Sequence, residues 1–255
     1  MKNLFDLTGR IALVTGASSG LGVDFAKALA NQGANIALVA RREEKLKEVQ
    51  KEIEKLGVTC HYYVCDVMQT EQIKTAVEQV EKDFGRIDIL VNNAGLGLLD
   101  KAEKTTDEMW RSMIDTNLNG AYFFAREVGK VMLKQKYGRI INIGSIHSTV
   151  AMKELPLTAY CSTKGGILML TKALANEWAK YGITVNAIGP GYFALGMGAN
   201  VTNDPELSKI IEFMCPMGRA GVSGELDTTV LYFASEASTY TTGQILTVDG
   251  GWTTI

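Results

Sequence analysis

Tyr160 and Lys164 stand four residues apart in AYCSTKGG (159–166), among two small hydroxyl residues and a Gly-Gly pair. On a helix, positions i and i+4 are neighbours on one face. A lysine ammonium one turn from a phenol lowers the phenol's pKa, so that it can trade a proton near neutral pH. The same pair also fits a tyrosine at a helix edge beside a lysine that snorkels to water. The pair alone does not separate these two readings.

A second stretch with chemistry in it is TGASSGLG (15–22), between an apolar run and a helix-like segment. Strand, glycine turn, helix is the context that holds phosphates at a helix N-terminus. Gly16, Ser18, Ser19, Gly20, Leu21 and Gly22 are the candidate contacts. The spacing is G-x-x-x-G-x-G rather than G-x-G-x-x-G, and no Lys-Ser/Thr follows to make a P-loop. A plain glycine-rich turn is the alternative. An acid about 20 residues further on would bind the ribose 2′-hydroxyl of NAD. That position is Ala40, followed by Arg41 and Arg42 in ALVARREEK. A guanidinium pairs with a 2′-phosphate that a carboxylate would repel, so NADP(H) is expected over NAD(H). The competing reading pairs the two arginines with Glu43 and Glu44 on a solvated face.

The elements that must position these groups follow from periodicity. Apolar, β-branched runs at 10–15, 35–40, 60–65, 87–92, 139–144, 183–189 and 244–249 read as strands. Helix-like segments at 20–32, 43–56, 70–84, 107–136, 158–181 and 224–235 lie between them. Strand–helix alternation with nearly continuous apolar strands predicts an α/β fold: a seven-stranded parallel sheet, doubly wound, with helices on both faces. With no linker or repeat in 255 residues, residues 1–255 are expected to form a single domain, and the irregular stretch 190–222 to be a substrate loop.

Composition narrows the function classes. A formal net charge of −2 gives no reason to expect nucleic acid or an anionic membrane as partner. No run approaches the roughly 18 apolar residues of a membrane span, and MKNLFDLTGR lacks the apolar run of a signal peptide, so a cytoplasmic protein is expected. Four cysteines without a C-x-x-C pair and two histidines make a zinc site or a disulfide framework unexpected. Cys161, beside Tyr160, is the thiol to watch for reactivity.

Six separated motifs resemble the short-chain dehydrogenase/reductase family, in the family's order and across essentially the whole chain. They are VNNAG (91–95), NLNG (117–120), Ser145 after RIINIG, Tyr160 with Lys164, NAIGPGYF (186–193) and the closing TGQILTVDGGW, and TGASSGLG (15–22) matches the family's glycine pattern as well. The resemblance implies a Rossmann-type domain and an active centre of Asn117, Ser145, Tyr160 and Lys164. Tyr160 would exchange the proton with the substrate oxygen, and Ser145 would hold that oxygen. Lys164 would lower the tyrosine pKa and bond the nicotinamide ribose, and Asn117 would anchor a relay water. It also implies that Asp66 and Val67 meet the adenine, and that Asn93, Ala94 and Gly95 line the adenosine side. Pro190, Gly191, Tyr192 and Phe193 would lie against the nicotinamide. Two departures stand out. Leu195 occupies the threonine position of P-G-x-x-x-T, and Ser145 and Tyr160 are spaced slightly wider than usual.

For substrate, the chain looks most like gluconate 5-dehydrogenases and related sugar-acid reductases, so a sugar acid or polyol ranks first. A hydroxysteroid and a 3-oxoacyl-carrier-protein substrate follow. Lys153, His147 and Arg219 are the candidate groups for a sugar acid's charge. A catalytically silent dinucleotide-binding sensor or scaffold is the alternative of another class; the presence of all four active-centre residue types argues against it. The family usually forms tetramers, so a homotetramer is expected, with helices 107–136 and 158–181 at one interface and the C-terminal strand region at another.

Overall fold

The apolar runs fold as seven strands: β1 (Ile11–Thr15), β2 (Asn35–Ala40), β3 (Cys60–Val64), β4 (Ile89–Asn92), β5 (Gly138–Ile143), β6 (Ile183–Pro190) and β7 (Ile245–Val248). The computed structural model describes residues 3–153 and 155–254. The strands form one parallel sheet in the order β3-β2-β1-β4-β5-β6-β7. The expected doubly wound α/β fold is therefore present. Winding reverses between β1 and β4, which opens a crevice at their carboxyl ends.

Alternate residues of each strand feed opposite faces. Ile36, Leu38 and Ala40 pack with α1 (Leu21–Asn31), α2 (Glu43–Glu54) and α9 (Asp227–Ala234). Ala37 and Val39 pack with α3 (Thr70–Phe84), α5 (Gly120–Gln135) and α6 (Thr158–Trp178). Both faces are dry, which is why the strands read as continuous apolar runs instead of an alternating pattern. No helix among the described residues is long and apolar enough to cross a membrane.

Two expectations change. The segment 107–136 is not one regular helix: α4 (Asp107–Ile114) passes through a π turn at Asp115–Asn119 before α5. Gly120, at the end of that turn, lies so close to Val67 that a Cβ would sit 2.9 Å from its carbonyl oxygen. A wide turn in mid-helix often marks a functional position, and this one carries Asn117. The stretch 190–222 contains α7 (Met197–Thr202) and α8 (Pro205–Met214). The sequence signal for α8 was Asp204-Pro205: Asp204 Oδ1 accepts from Glu206 N and Leu207 N, with proline in the first turn.

At the amino end of the sheet, the buried Asp88 carboxylate ties the two strands on either side of the reversal. It accepts from Ile11 N at 2.9 Å, Arg86 Nε at 2.8 Å and Arg10 Nη1 at 3.3 Å. Asp88→Ala strands the strand-β1 donor and two guanidinium groups. It is expected to cost about 2–3 kcal/mol, read as a lower urea midpoint at unchanged slope. An unchanged midpoint would mean that water replaces the carboxylate at no cost.

Candidate active site

The crevice is held open from below by its own backbone. Thr15 Oγ1, at the end of β1, accepts from Asn93 N and Ala94 N at 3.0 Å each, and Asn93 Nδ2 donates to Thr15 O at 3.0 Å. Gly16 follows at φ 65°, where a Cβ would lie 2.8 Å from Ala94 Cα. Only glycine fits both the conformation and the approach. Helix α1 then starts at Gly20 without a side-chain cap, so first-turn N–H groups are available to an anion.

The end of β2 supplies a cationic rim. Arg42 Nη2 donates to Ser18 Oγ at 2.8 Å and to Ser19 Oγ at 2.7 Å. Glu43 and Glu44 pair with Lys47, at 3.1 and 2.8 Å, and not with the arginines. Arg41 makes no ion pair among the described residues. The solvated-face reading of these two arginines is therefore not what the chain does. With Ala40 in place of an acid, this rim, the uncapped helix and the close-packed glycines fit a dinucleotide bearing a 2′-phosphate. Asp66 lines the same cleft. Its Oδ1 accepts from Met68 N at 3.0 Å, and its own N–H donates to Gln72 Oε1 at 2.8 Å.

Tyr160 and Lys164 lie in the first turns of α6, with Lys164 Nζ 5.6 Å from the phenol ring centre. Ser145, just past β5, lines the same cleft as the Tyr160 phenol and favours its charged form. Ser145 Oγ accepts from His147 N at 3.1 Å, which fixes its rotamer. The expected lowering of the tyrosine pKa is not found. Burial outweighs the opposing effect of Ser145 and pushes Tyr160 up to about 12. Burial likewise pulls Lys164 down to about 8, with its Nζ donating to Ile143 O at 2.7 Å. Removing both groups from water disfavours the charged form of each.

Asn117 does not line the cleft. Its Nδ2 hydrogens go to Leu96 O at 2.8 Å and Thr163 Oγ1 at 3.2 Å, and its Oδ1 accepts from Leu96 N at 2.7 Å. Both side-chain donors are used, so Asn117 clamps the loop after β4 to α6 next to Lys164. Gly22 is also behind the surface: a Cβ there would meet Gly16 O at 2.5 Å.

The other site residues read from the sequence meet in one cleft of about 640 Å³: Gly16, Ser18, Ser19, Gly20, Leu21, Arg41, Arg42, Asp66, Val67, Asn93, Ala94, Gly95, Ser145, Tyr160, Lys164, Pro190, Gly191 and Phe193. Sequence reasoning placed Tyr192 only within the nicotinamide-side stretch and did not foresee Leu155, Leu157, Gly196 and Gly198 in the wall. Their signal was position alone, in loops beyond β5 and β6. Leu195 also lines the cleft, at the position of the expected threonine. Neither Lys153 nor Arg219 lines it; Arg219 is bound to Glu225, Nη1 to Oε2 at 2.9 Å and Nη2 to Oε1 at 2.6 Å. Burial pushes the Cys161 thiol up, away from reactivity.

His147 is buried, with Nδ1 3.1 Å from Val150 O and Nε2 3.1 Å from Tyr192 Oη. Burial holds its pKa below the ordinary 6.5. Below about pH 6.5 the unfolded chain therefore takes up a proton that the folded chain resists. Stability is full above that pH and is lost as pH falls towards the folded-state value. Thermal melts at about pH 7.5 and about pH 5.5 are expected to show this loss, and His147→Gln is expected to shrink it. An equal acid loss in the variant would place its origin elsewhere.

A family model described as enoyl-(acyl carrier protein) reductase matches residues 16–253. The chain belongs to that family, within the short-chain dehydrogenase/reductase oxidoreductases. It is 37% identical over 251 residues to gluconate 5-dehydrogenase of Gluconobacter oxydans (strain 621H), covering 98% of this chain and 97% of that one. It is 37% identical over 260 residues to NADP-dependent mannitol dehydrogenase of Alternaria alternata, covering 99% and 95%. A crystal structure of gluconate 5-dehydrogenase from Burkholderia cenocepacia J2315, in complex with NADP and tartrate, superposes with a TM-score of 0.95 at 36% identity, covering 99% and 98%.

Proposed function

We propose that this chain interconverts a secondary alcohol and a ketone with NADP(H), on a sugar-like polyhydroxy substrate. The observation that carries the reading is the meeting of Ser145 and Tyr160 in one cleft, with Lys164 one turn further along α6. When bound, NADP(H) supplies or accepts the hydride. The glycine loop and the start of α1 would hold its pyrophosphate, and Arg41 and Arg42 its 2′-phosphate. Asp66 and Val67 would meet the adenine, Asn93 to Gly95 the adenosine side, and Pro190, Gly191 and Phe193 the nicotinamide side.

Tyr160 gives its proton to the ketone oxygen, or takes one from the alcohol in the reverse direction. With its pKa pushed up to about 12 the phenol is protonated at neutral pH, the form that donates in ketone reduction. Ser145 holds the same oxygen. Lys164 would bond the cofactor ribose, and its ammonium, where present, favours the phenolate left after transfer. Asn117 is a positioning residue, through Leu96 and Thr163. The relatives named for gluconate and mannitol support a sugar acid or polyol. The apolar wall of Leu99, Leu155 and Leu157 favours a hydroxysteroid or acyl thioester as the second reading. The whole chain acts as one dinucleotide-binding unit, with 190–222 on the substrate side. The free thiols of Cys60, Cys65, Cys161 and Cys215 suit a reducing cytoplasm.

Homotetramer assembly belongs to the same reading. Exposed Trp110, Tyr122 and Met169 lie on α4, α5 and α6, and exposed Tyr240 and Leu246 lie at the free edge by β7. Such apolar surface suits subunit contact. Sedimentation at about micromolar concentration is expected to give a species of four chains, and a monomer would exclude it.

Two variants test the site. Tyr160→Phe is expected to lower kcat by about 10²-fold or more while NADPH still binds by fluorescence; normal turnover would remove the tyrosine from its role. Arg42→Ala is expected to raise KM for NADPH by about tenfold or more with little change for NADH. Equal losses for the two cofactors would mean that Arg42 only braces the glycine loop through Ser18 and Ser19.

A further inference from the structure

The cations lining the cleft among the described residues are Arg41, Arg42 and Lys164. The arginines flank the glycine loop, and Lys164 Nζ is bound to Ile143 O. Near Tyr160, His147 and Tyr192 supply polar groups to the same cleft, which Ile146, Leu155 and Leu157 also line. The His147 ring stands edge-on to Tyr160 at 6.1 Å and to Tyr192 at 6.0 Å between ring centres.

Hydrogen bonding fixes the protons of this pair. A carbonyl only accepts, so His147 Nδ1, facing Val150 O, carries the hydrogen. Burial keeps the ring neutral, which leaves Nε2 a bare acceptor 3.1 Å from Tyr192 Oη. Tyr192 has one proton, and an imidazole nitrogen takes it in preference to the Met152 thioether at 3.3 Å. Tyr192 Oη therefore offers lone pairs to whatever lies beside it. A substrate hydroxyl can donate to those lone pairs. A carboxylate would set its own negative charge against them; none of the three cations is bonded to His147 or Tyr192, and Arg219, which lines an adjoining cavity with Tyr192, is paired with Glu225.

We infer that Tyr192, oriented by His147, is a specificity-determining hydrogen-bond acceptor, and that the site selects an uncharged polyhydroxy ketone over the matching keto-acid. This rests on the ketone–alcohol reading above. The test is NADPH-dependent reduction of L-sorbose and of 5-keto-D-gluconate, which differ in a terminal CH2OH against a carboxylate, with 2,3-butanedione as a small carbonyl without hydroxyl groups. In the wild type, kcat/KM for L-sorbose is expected to exceed that for 5-keto-D-gluconate by at least about tenfold. Tyr192→Phe is expected to lower the L-sorbose value by about tenfold, mainly through KM, and so narrow the ratio. A wild type that prefers the keto-acid, or uses both equally, overturns the inference. So does a Tyr192→Phe variant that loses both substrates in equal proportion. Should that variant not fold, the wild-type ratio decides alone. Reduction of 2,3-butanedione with neither sugar turned over overturns the inference and leaves the ketone–alcohol reading standing. Silence on all three carbonyls overturns both.

Discussion

The bond that the rest of the site depends on is the one between Thr15 and the Asn93–Ala94 backbone. It joins the carboxyl ends of β1 and β4 at the point where the sheet reverses its winding. Strands on either side send their following helices to opposite faces, so the crevice there has no helix to fill it. Thr15 sets its floor, and Gly16 lets the chain turn close over that floor. Everything that binds or reacts is arranged around this gap.

The two sides of the gap are built differently. On the β2 side the groups are backbone N–H, hydroxyl and guanidinium, suited to phosphate and exposed to water. On the β5 and β6 side they are taken out of water. Burial there raises Tyr160 and lowers Lys164, so the phenol holds its proton more firmly and the lysine less so. A low-dielectric pocket makes any later charge on bound molecules more strongly felt. The phenol is thus poised neutral beside a lysine that still carries its charge at neutral pH.

Asn117 shows how the fold keeps such a pocket rigid without occupying it. A π turn between α4 and α5 brings its side chain to Leu96 and Thr163, so one amide joins the loop after β4 to the helix carrying Tyr160 and Lys164. The polar group is buried, and its partners satisfy it. Such a role is local in space and distant in sequence, since Asn117 and Thr163 belong to different helices.

The strand and helix order, the glycine loop, the cationic end of β2 and the Tyr160–Lys164 spacing were all determined by the sequence. They depend on short-range periodicity and on residue types whose chemistry is the same wherever they sit. Helix α8 had a signal in Asp204-Pro205, but the loop-like composition of 190–222 hid it, so that the stretch reads as a loop in the sequence. Other features were decided only by tertiary structure. The direction of the tyrosine pKa shift depends on how deeply α6 is buried, and no spacing encodes burial. His147 looked like a candidate cation, but burial keeps it neutral, and its contacts with Val150 and Tyr192 make it an acceptor of the Tyr192 proton. Arg219 looked available until Glu225, six residues on, bound it. Residue type and order fix which groups exist and which element carries them. Solvent exposure and the identity of the neighbour fix their charge and their role, and both arise only when distant segments pack together.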